Sequence, residues 1–117
     1  MSRVDWERFT VAASRTARRG PTDTDRDRRL NFALGLAGEA GEVANYLKKT
    51  TFHGHVLEKA VLVEELGDVL WYVAMLMANE GITFDEVASA NISKLQARYP
   101  QGFSVEASLH RPEVSHG

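Results

Sequence analysis

Two long apolar segments, each carrying acidic residues but no lysine or arginine, constrain this chain more than any other feature. They span residues 30–47 and 60–79. Apolar residues recur in them at helical spacing, and no alternation typical of a strand occurs, so we predict two helices. Because both helices are apolar almost all round, we expect them to be substantially buried. Their acids are Glu39 and Glu42 in the first segment and Glu64, Glu65 and Asp68 in the second.

The spacing of these acids predicts how the two helices pair. Glu39 and Glu42 are three positions apart, as are Glu65 and Asp68, so each pair shares one helix face. The two pairs lie at equal distances along the chain on either side of residues 53–54 (His-Gly), where the helical pattern breaks. An antiparallel hairpin folded there places Glu39 opposite Asp68. It also places Glu42 opposite Glu65.

The rest of the pattern predicts two further helices and an all-α, four-helix bundle-like fold. The predicted helices are one capped by Ser2 and ending near Gly20-Pro21, one from Leu30 to Lys49, one from Leu57 to Asn79, and one from a Thr83–Glu86 capping box to Tyr99. Residues 22–29 are expected to form a polar connector. A chain of 117 residues predicts one domain, residues 1–103, followed by a C-terminal tail at 104–117 without periodicity.

Four inward carboxylates need compensation, because like charges in a partly buried site either take up protons or bind a metal ion. The chain has no cysteine, and no histidine is spaced with these acids as a ligand. Ligation by oxygen alone favours magnesium, with manganese as a substitute, over zinc or copper. The pattern therefore predicts a hard divalent cation held by Glu39, Glu42, Glu65 and Asp68.

A polar stripe on the fourth helix complements such a metal site. It consists of Asn91, Lys94 and Arg98, followed by Tyr99. Divalent cations and basic side chains together neutralise the oxygens of a polyphosphate. Trp71 follows the acids on the third helix and is expected either to pack in the core or to stack on a base. The glycines at 35, 38 and 41 indicate close approach by a backbone or ligand, or simple tight packing.

Charge and composition exclude several other classes of function. The segment at 1–29 holds eight arginines but also five acids, which argues against a strong nucleic-acid footprint. No segment has the length and apolarity of a membrane span. The start lacks the apolar run of a secretory signal, and cysteine is absent, so we expect a cytoplasmic protein. His53 and His55 fall in the loop. The sequence does not decide whether they are exposed to solvent or contact a substrate.

The chain resembles the MazG-like nucleoside triphosphate pyrophosphohydrolases of the all-α NTP pyrophosphatase superfamily. The resemblance covers roughly residues 5–103 and is carried by an E-x-x-E pair, Glu39 and Glu42, followed along the chain by an E-x-x-D pair, Glu65 and Asp68. The surrounding segments are similar as well. They read LAGEAGEVANYLKK, FHGH, VEELGDVLWYVA and ANISKLQARYPQGF.

The resemblance implies cleavage between the α- and β-phosphates of a nucleoside triphosphate, giving a monophosphate and pyrophosphate, in house-cleaning of the nucleotide pool. The four acids would hold magnesium. The sequence does not settle which of them is the general base, and Glu42 is our choice among them. Lys94 and Arg98 would steady the triphosphate, and Asn91 would place the sugar or a water. Tyr99 and Trp71 are included among the substrate-binding residues. Such families assemble as homodimers or homotetramers.

Alternative functions remain open at this point. A phosphoribosyl-ATP pyrophosphohydrolase, or a dedicated dUTP or dCTP hydrolase, would share the same acids. A non-catalytic helical interaction module belongs to a different class. It would not respond to magnesium, whereas a metal-binding enzyme would be stabilised by it.

Overall fold

A computed structural model describes residues 3–18, 20 and 23–110 of the chain. These residues form two compact units, Met1–Gly81 and Ile82–Gly117. The predicted all-α class is confirmed, since the described residues contain helices and one isolated β-bridge but no strand. The helices are α1 (Trp6–Ser14), α2 (Asp25–Phe52) and α3 (Lys59–Glu80) in the first unit, and α4 (Phe84–Arg98) and α5 (Val105–Leu109) in the second. None of the described helices is both long and apolar enough to cross a membrane.

Helix α1 is shorter than the sequence predicts. Its N-cap is Asp5, whose carboxylate accepts a hydrogen bond from the backbone N–H of Arg8 at 2.8 Å. The predicted cap, Ser2, lies outside the described residues. The helix ends at Ser14 rather than near Gly20. Two backbone hydrogen bonds of turn type follow. The N–H of Thr16 donates to the carbonyl of Ala13, and the N–H of Ala17 donates to the carbonyl of Ser14.

Helix α2 begins at Asp25, ahead of the predicted start at Leu30. The prediction of a polar connector over 22–29 is therefore wrong for residues 25–29. Thr24 caps the helix by accepting a hydrogen bond from the N–H of Asp27 at 3.0 Å. Acids in the first turn also interact favourably with the helix dipole, so a polar segment with this order of residues begins a helix well.

Helices α2 and α3 form the predicted antiparallel hairpin. Two contacts test its register. The Nε of Arg28 donates to the side-chain oxygen of Asn79 at 3.1 Å, and Gly35 lies against the ring of Tyr72. The two residues of each contact lie at equal distances along the chain from residues 53–54. The predicted register is therefore confirmed.

The loop between the two helices turns at a glycine and is tied to α2 at its C-terminal end. Gly54 has a φ of +74°, in the left-handed region that favours glycine. The Tyr46 hydroxyl accepts a hydrogen bond from the N–H of Glu58 at 2.8 Å and donates to the carbonyl of the same residue at 3.4 Å. The side chain of α2 thereby fixes the point at which α3 begins.

The core of the first unit is small and lies where α1 crosses the hairpin. Its buried members are Ala13, Phe32, Ala74 and Met75, with partly buried aromatic rings around them. The expectation that α2 and α3 are substantially buried is wrong for the single chain. Phe32 alone is buried among the residues of α2, and Leu34 is 64% exposed. One helix as short as α1 covers too little of a long hairpin to bury its remaining faces.

In the second unit, the predicted capping box of α4 is confirmed. The N–H of Glu86 donates to the Thr83 hydroxyl, and the carboxylate of Glu86 accepts from the Thr83 N–H. The tail, predicted without regular structure, contains α5, which Ser104 caps. Residues 111–117 lie outside the described part. The boundary between a domain at 1–103 and a tail at 104–117 stays a prediction.

Candidate active site

Three of the four predicted metal ligands come together between α2 and α3. Glu39, Glu65 and Asp68 each offer a carboxylate oxygen, and these oxygens all lie within 4.8 Å of one another. We call these three residues the acid cluster. Glu39 and Glu65 are half-buried, and Asp68 is exposed. The cluster joins Glu39 of the first pair with both acids of the second, and it includes Glu39 and Asp68, which the hairpin register places opposite each other.

The size of the acid cluster fits a hard divalent cation. Magnesium and calcium take oxygen ligands at about 2.0–2.6 Å, so two oxygens on one ion are separated by at most about 4–5 Å. The oxygens of the cluster lie within 4.8 Å of one another, a bound that calcium spans directly and that the side chains would have to tighten to about 4.2 Å for magnesium. All three donors are carboxylate oxygens, which magnesium, manganese and calcium prefer and which softer metals do not.

Glu42 differs from the other three acids. It is exposed, and its carboxylate is not a member of the acid cluster. It is nevertheless close enough to act electrostatically on Glu39. The sequence pattern treats all four acids alike. It does not predict that Glu42 lies outside the acid cluster.

Electrostatic repulsion is concentrated on Glu39. Partial removal from water raises the pKa of its carboxyl above the ordinary value. The charges of Asp68, Glu65 and Glu42, in that order, raise this pKa further. Without a cation, loss of water contact and repulsion therefore both act against the charged form of Glu39. A divalent ion would remove the repulsion that produces this effect.

An aromatic layer lies one to two helical turns from the acid cluster. It consists of Phe32, Trp71 and Tyr72, with the Trp71 ring 6.0 Å from that of Phe32 and 4.9 Å from that of Tyr72. The indole N–H of Trp71 donates to the Thr16 hydroxyl at 2.8 Å. Trp71 is therefore a half-buried packing residue that ties the segment after α1 to α3. The sequence leaves two roles open for Trp71, packing in the core and stacking on a base, and the structure shows the packing.

The polar stripe of the fourth helix belongs to the second unit. Lys94 and Arg98 are one turn apart on α4 and half-buried, while Asn91 is exposed. The Nε of Arg98 is shielded from solvent and lacks a hydrogen-bond partner among the described residues. Tyr99 ends the helix, and its ring lies 5.5 Å from that of Phe103. The predicted stripe thus lies on α4, and the Nε donor of its Arg98 has no partner among the described residues.

The sequence matches a known family over most of this region. The model of the MazG nucleotide pyrophosphohydrolase domain matches residues 28–103, which include all four acids and the polar stripe. The chain belongs to the MazG nucleotide pyrophosphohydrolase domain family.

A relative of this MazG domain is known from a bacteriophage. The gene 37 protein of Mycobacterium phage L5 is 39% identical over 100 residues, which cover 80% of this chain and 88% of the phage protein. No solved structure matches the chain at a significant level. The family assignment therefore rests on sequence, and the placement of the acid cluster rests on the geometry described above.

The raised pKa of Glu39 predicts how the stability of the metal-free MazG domain depends on pH. A carboxyl whose pKa is higher in the folded state stabilises the fold fully below its unfolded pKa, about 4.3, and this contribution is lost as pH rises through the folded pKa. We expect Glu39→Gln to abolish that loss, so that without metal the variant is more stable than the wild type at neutral pH. Urea unfolding at a series of pH values measures the difference.

The carboxyl of Glu80 also makes the stability of the wild type depend on pH, so the contribution of Glu39 has to be found by comparison with Glu39→Gln. Hydrogen bonds from the Arg29 guanidinium lower the pKa of Glu80, so its contribution is present at neutral pH and is lost as pH falls. The two trends oppose each other in the wild type. Only the difference between the wild-type and Glu39→Gln curves isolates Glu39. Glu64→Gln, which changes an exposed acid outside the cluster, is the matched control, and a wild-type-like curve for Glu39→Gln would contradict the assignment.

Proposed function

We propose that this chain is a magnesium-dependent nucleoside triphosphate pyrophosphohydrolase that cleaves between the α- and β-phosphates, releasing a nucleoside monophosphate and pyrophosphate. The observation that carries the proposal is the acid cluster, three carboxylates within 4.8 Å on facing helices of a MazG domain. A plain interaction module has no need of such a cluster, because uncompensated like charges destabilise the fold.

The acid cluster would hold the cation. Glu39, Glu65 and Asp68 supply three negatively charged oxygens, and manganese would substitute for magnesium because both prefer such ligands. When bound, the ion supplies Lewis-acid stabilisation of the negative charge that develops on the phosphate oxygens. The ion also offsets the repulsion that the three carboxylates exert on one another.

Glu42 would act as the general base. It is exposed, it lies outside the acid cluster, and it is near enough to influence Glu39. A carboxylate that is not occupied as a ligand in the cluster is free to accept a proton at an oxygen atom. In the proposed reaction it takes that proton from the water that attacks the α-phosphorus.

The residues of α4 would contact the substrate. Lys94 and Arg98 would neutralise triphosphate oxygens, and the unpaired Nε of Arg98 supports this role because a shielded donor without a partner is costly. Asn91 would place the sugar or a water, and Tyr99 would contact the nucleotide. Trp71 would stack on the base through its ring face, while its indole N–H keeps the hydrogen bond to the Thr16 hydroxyl.

We further propose that the working form is a homodimer or homotetramer. Along one face of α3, the apolar residues Ala74 and Met77 are buried, whereas Leu66 and Leu70 are 46% and 45% exposed. Helix α1 packs against this face near Ala74 and is too short to reach Leu66 and Leu70. A second copy of the chain would cover the remainder, because folded proteins rarely leave long apolar faces in water.

A nucleotide panel tests the proposed function. The purified chain is incubated with each common NTP and dNTP, and with phosphoribosyl-ATP, in the presence of magnesium, and pyrophosphate is measured. We expect pyrophosphate and the matching monophosphate from at least one of them, and none after chelation of the metal. Release of inorganic phosphate without pyrophosphate would indicate a different bond, and no product from any nucleotide would contradict the proposal. The pattern across the panel separates a broad enzyme from a dedicated dUTP or dCTP hydrolase.

A further inference from the structure

Gly35 and Tyr72 form a very tight contact between α2 and α3. A Cβ atom placed on Gly35 would lie 2.1 Å from Cε1 of the Tyr72 ring and 2.5 Å from its Cζ. Ordinary van der Waals contact begins at 3.4 Å, so even one methyl group would require the ring and the helix to move apart until the shorter distance reached that value. The ring lies directly on the backbone of α2, and glycine is the one residue that permits it.

The Tyr72 ring is not free to swing aside. Its centroid lies 4.9 Å from that of Trp71, and the indole N–H of Trp71 is in turn bonded to the Thr16 hydroxyl. Tyr72 itself is half-buried and packs against the core of the first unit. A side chain added at Gly35 would therefore push against a ring that is supported from behind, and the helices would take up part of the movement.

This contact lies one helical turn from the acid cluster on both helices. Gly35 precedes Glu39 by four positions on α2, and Tyr72 follows Asp68 by four positions on α3. Residues four apart lie above one another on the same helix face. The separation of the helices at the glycine therefore governs the separation of the carboxylates.

The acid cluster tolerates little widening. Its oxygens lie within 4.8 Å of one another, and two oxygens that share a cation are at most about 4–5 Å apart. An increase of about 1 Å would therefore take a pair that lies near that limit beyond the reach of a single ion. A methyl group at Gly35 requires a movement of this size, from 2.1 Å to 3.4 Å, and because the ring is supported from behind, the helices take up part of it.

We propose that Gly35 is a positioning residue for the cation: by leaving room for the Tyr72 ring, it sets the distance between α2 and α3 at which Glu39 and Asp68 share one ion. The inference rests on the proposed function in that the acid cluster binds a divalent cation. It goes further in assigning a role to a residue that touches neither ion nor substrate.

The chain provides two matched controls for this role. Gly38 and Gly41 lie on the same helix at successive turns, and nothing lies within 4 Å of a Cβ placed on either. An alanine at Gly38 or Gly41 should be accommodated without movement. Of the three glycines that the sequence pattern groups together, the contact thus assigns close packing to Gly35 alone.

Binding of manganese, followed by electron paramagnetic resonance, tests the proposal. We expect Gly35→Ala to weaken manganese binding at least about tenfold, a loss in the range seen when residues that orient metal ligands are changed. Gly38→Ala should bind within about twofold of the wild type. Each protein is titrated at a temperature at which circular dichroism shows it to be folded, so that a difference in stability does not enter the affinity.

A second pair of variants removes the clash from the other side. Tyr72→Ala lacks all three of the ring atoms that a Cβ at Gly35 would meet. In that background we expect Gly35→Ala to change manganese affinity by less than about threefold, although the double variant is less stable than the wild type. A rescue of binding without a rescue of stability is not expected of a residue whose role is only structural.

The outcomes separate this inference from the function on which it rests. Failure of the wild type to bind manganese would contradict the metal site and, with it, the inference. Binding by the wild type that a folded Gly35→Ala protein retains in full would overturn the inference alone. If Gly35→Ala does not fold, the double variant decides: weak binding there, or failure to fold, means that the Tyr72 ring is not what Gly35 accommodates.

Discussion

We expect replacement of Asp68 with asparagine to lower the rate of pyrophosphate release by at least about a hundredfold and to leave the metal-free protein folded. The amide oxygen is neutral and binds a hard cation more weakly than a carboxylate does. Stabilisation of the phosphate charge by the ion is worth several kcal/mol, and each increment of about 1.4 kcal/mol corresponds to a factor of ten in rate. The same change removes the largest single charge effect on Glu39, so repulsion in the empty cluster falls.

The rate of pyrophosphate release and the melting temperature without metal are measured on the same preparation of Asp68→Asn. Glu64→Gln is the control, because Glu64 neighbours the cluster along α3 but is exposed and not part of it. We expect that control to retain activity within about twofold. A metal-free Asp68→Asn protein that is unfolded would show that the carboxylate is structural, and one that retains full activity would exclude Asp68 as a ligand.

We expect a charge on the exposed part of the apolar face of α3 to separate the proposed oligomer into single chains. Leu66→Glu places a carboxylate next to Leu70 and on the same face as the buried Ala74. An unpaired charge inside an interface loses its hydration, which costs several kcal/mol and is comparable with the stability of many dimers. We expect the molecular mass to fall to that of one chain, 13.0 kDa.

Sedimentation velocity across a range of concentrations measures this change in mass. Asn31→Glu is the control, since it adds the same charge at an exposed polar position on α2. It should leave the mass of the assembly unchanged. A wild-type mass of 13.0 kDa at every concentration would contradict the oligomer, and a Leu66→Glu protein that remains assembled would place the interface elsewhere.

The pairing of α2 with α3 could be predicted from sequence because charge and periodicity both report it. Two acid pairs at equal distances from a glycine-containing loop define a register, and the contacts of Arg28 with Asn79 and of Gly35 with Tyr72 confirm it. The capping of α4 was also predictable. The Thr83–Glu86 box needs only neighbouring residues, and it forms as expected.

Other features depend on information that a linear pattern does not carry. The sequence pattern does not predict the early start of α2 because a charged segment resembles a connector, although Thr24 caps it by accepting from the N–H of Asp27. The difference between Glu42 and the acid cluster depends on the rotation of each helix about its axis. The burial of α2 and α3 was overestimated because apolar composition shows which surfaces avoid water but not whether the same chain covers them.

The acid cluster has a consequence for a chain that lacks cysteine. Glu39 and Asp68 lie on separate helices, so one ion held by both would close the loop of chain from residue 39 to residue 68. Closing a loop restricts the unfolded chain much as a disulfide does, but the bond forms and breaks with the concentration of free metal. The ion would thus serve the folded protein as a reversible cross-link, and the rigidity of the hairpin would follow the supply of the cation.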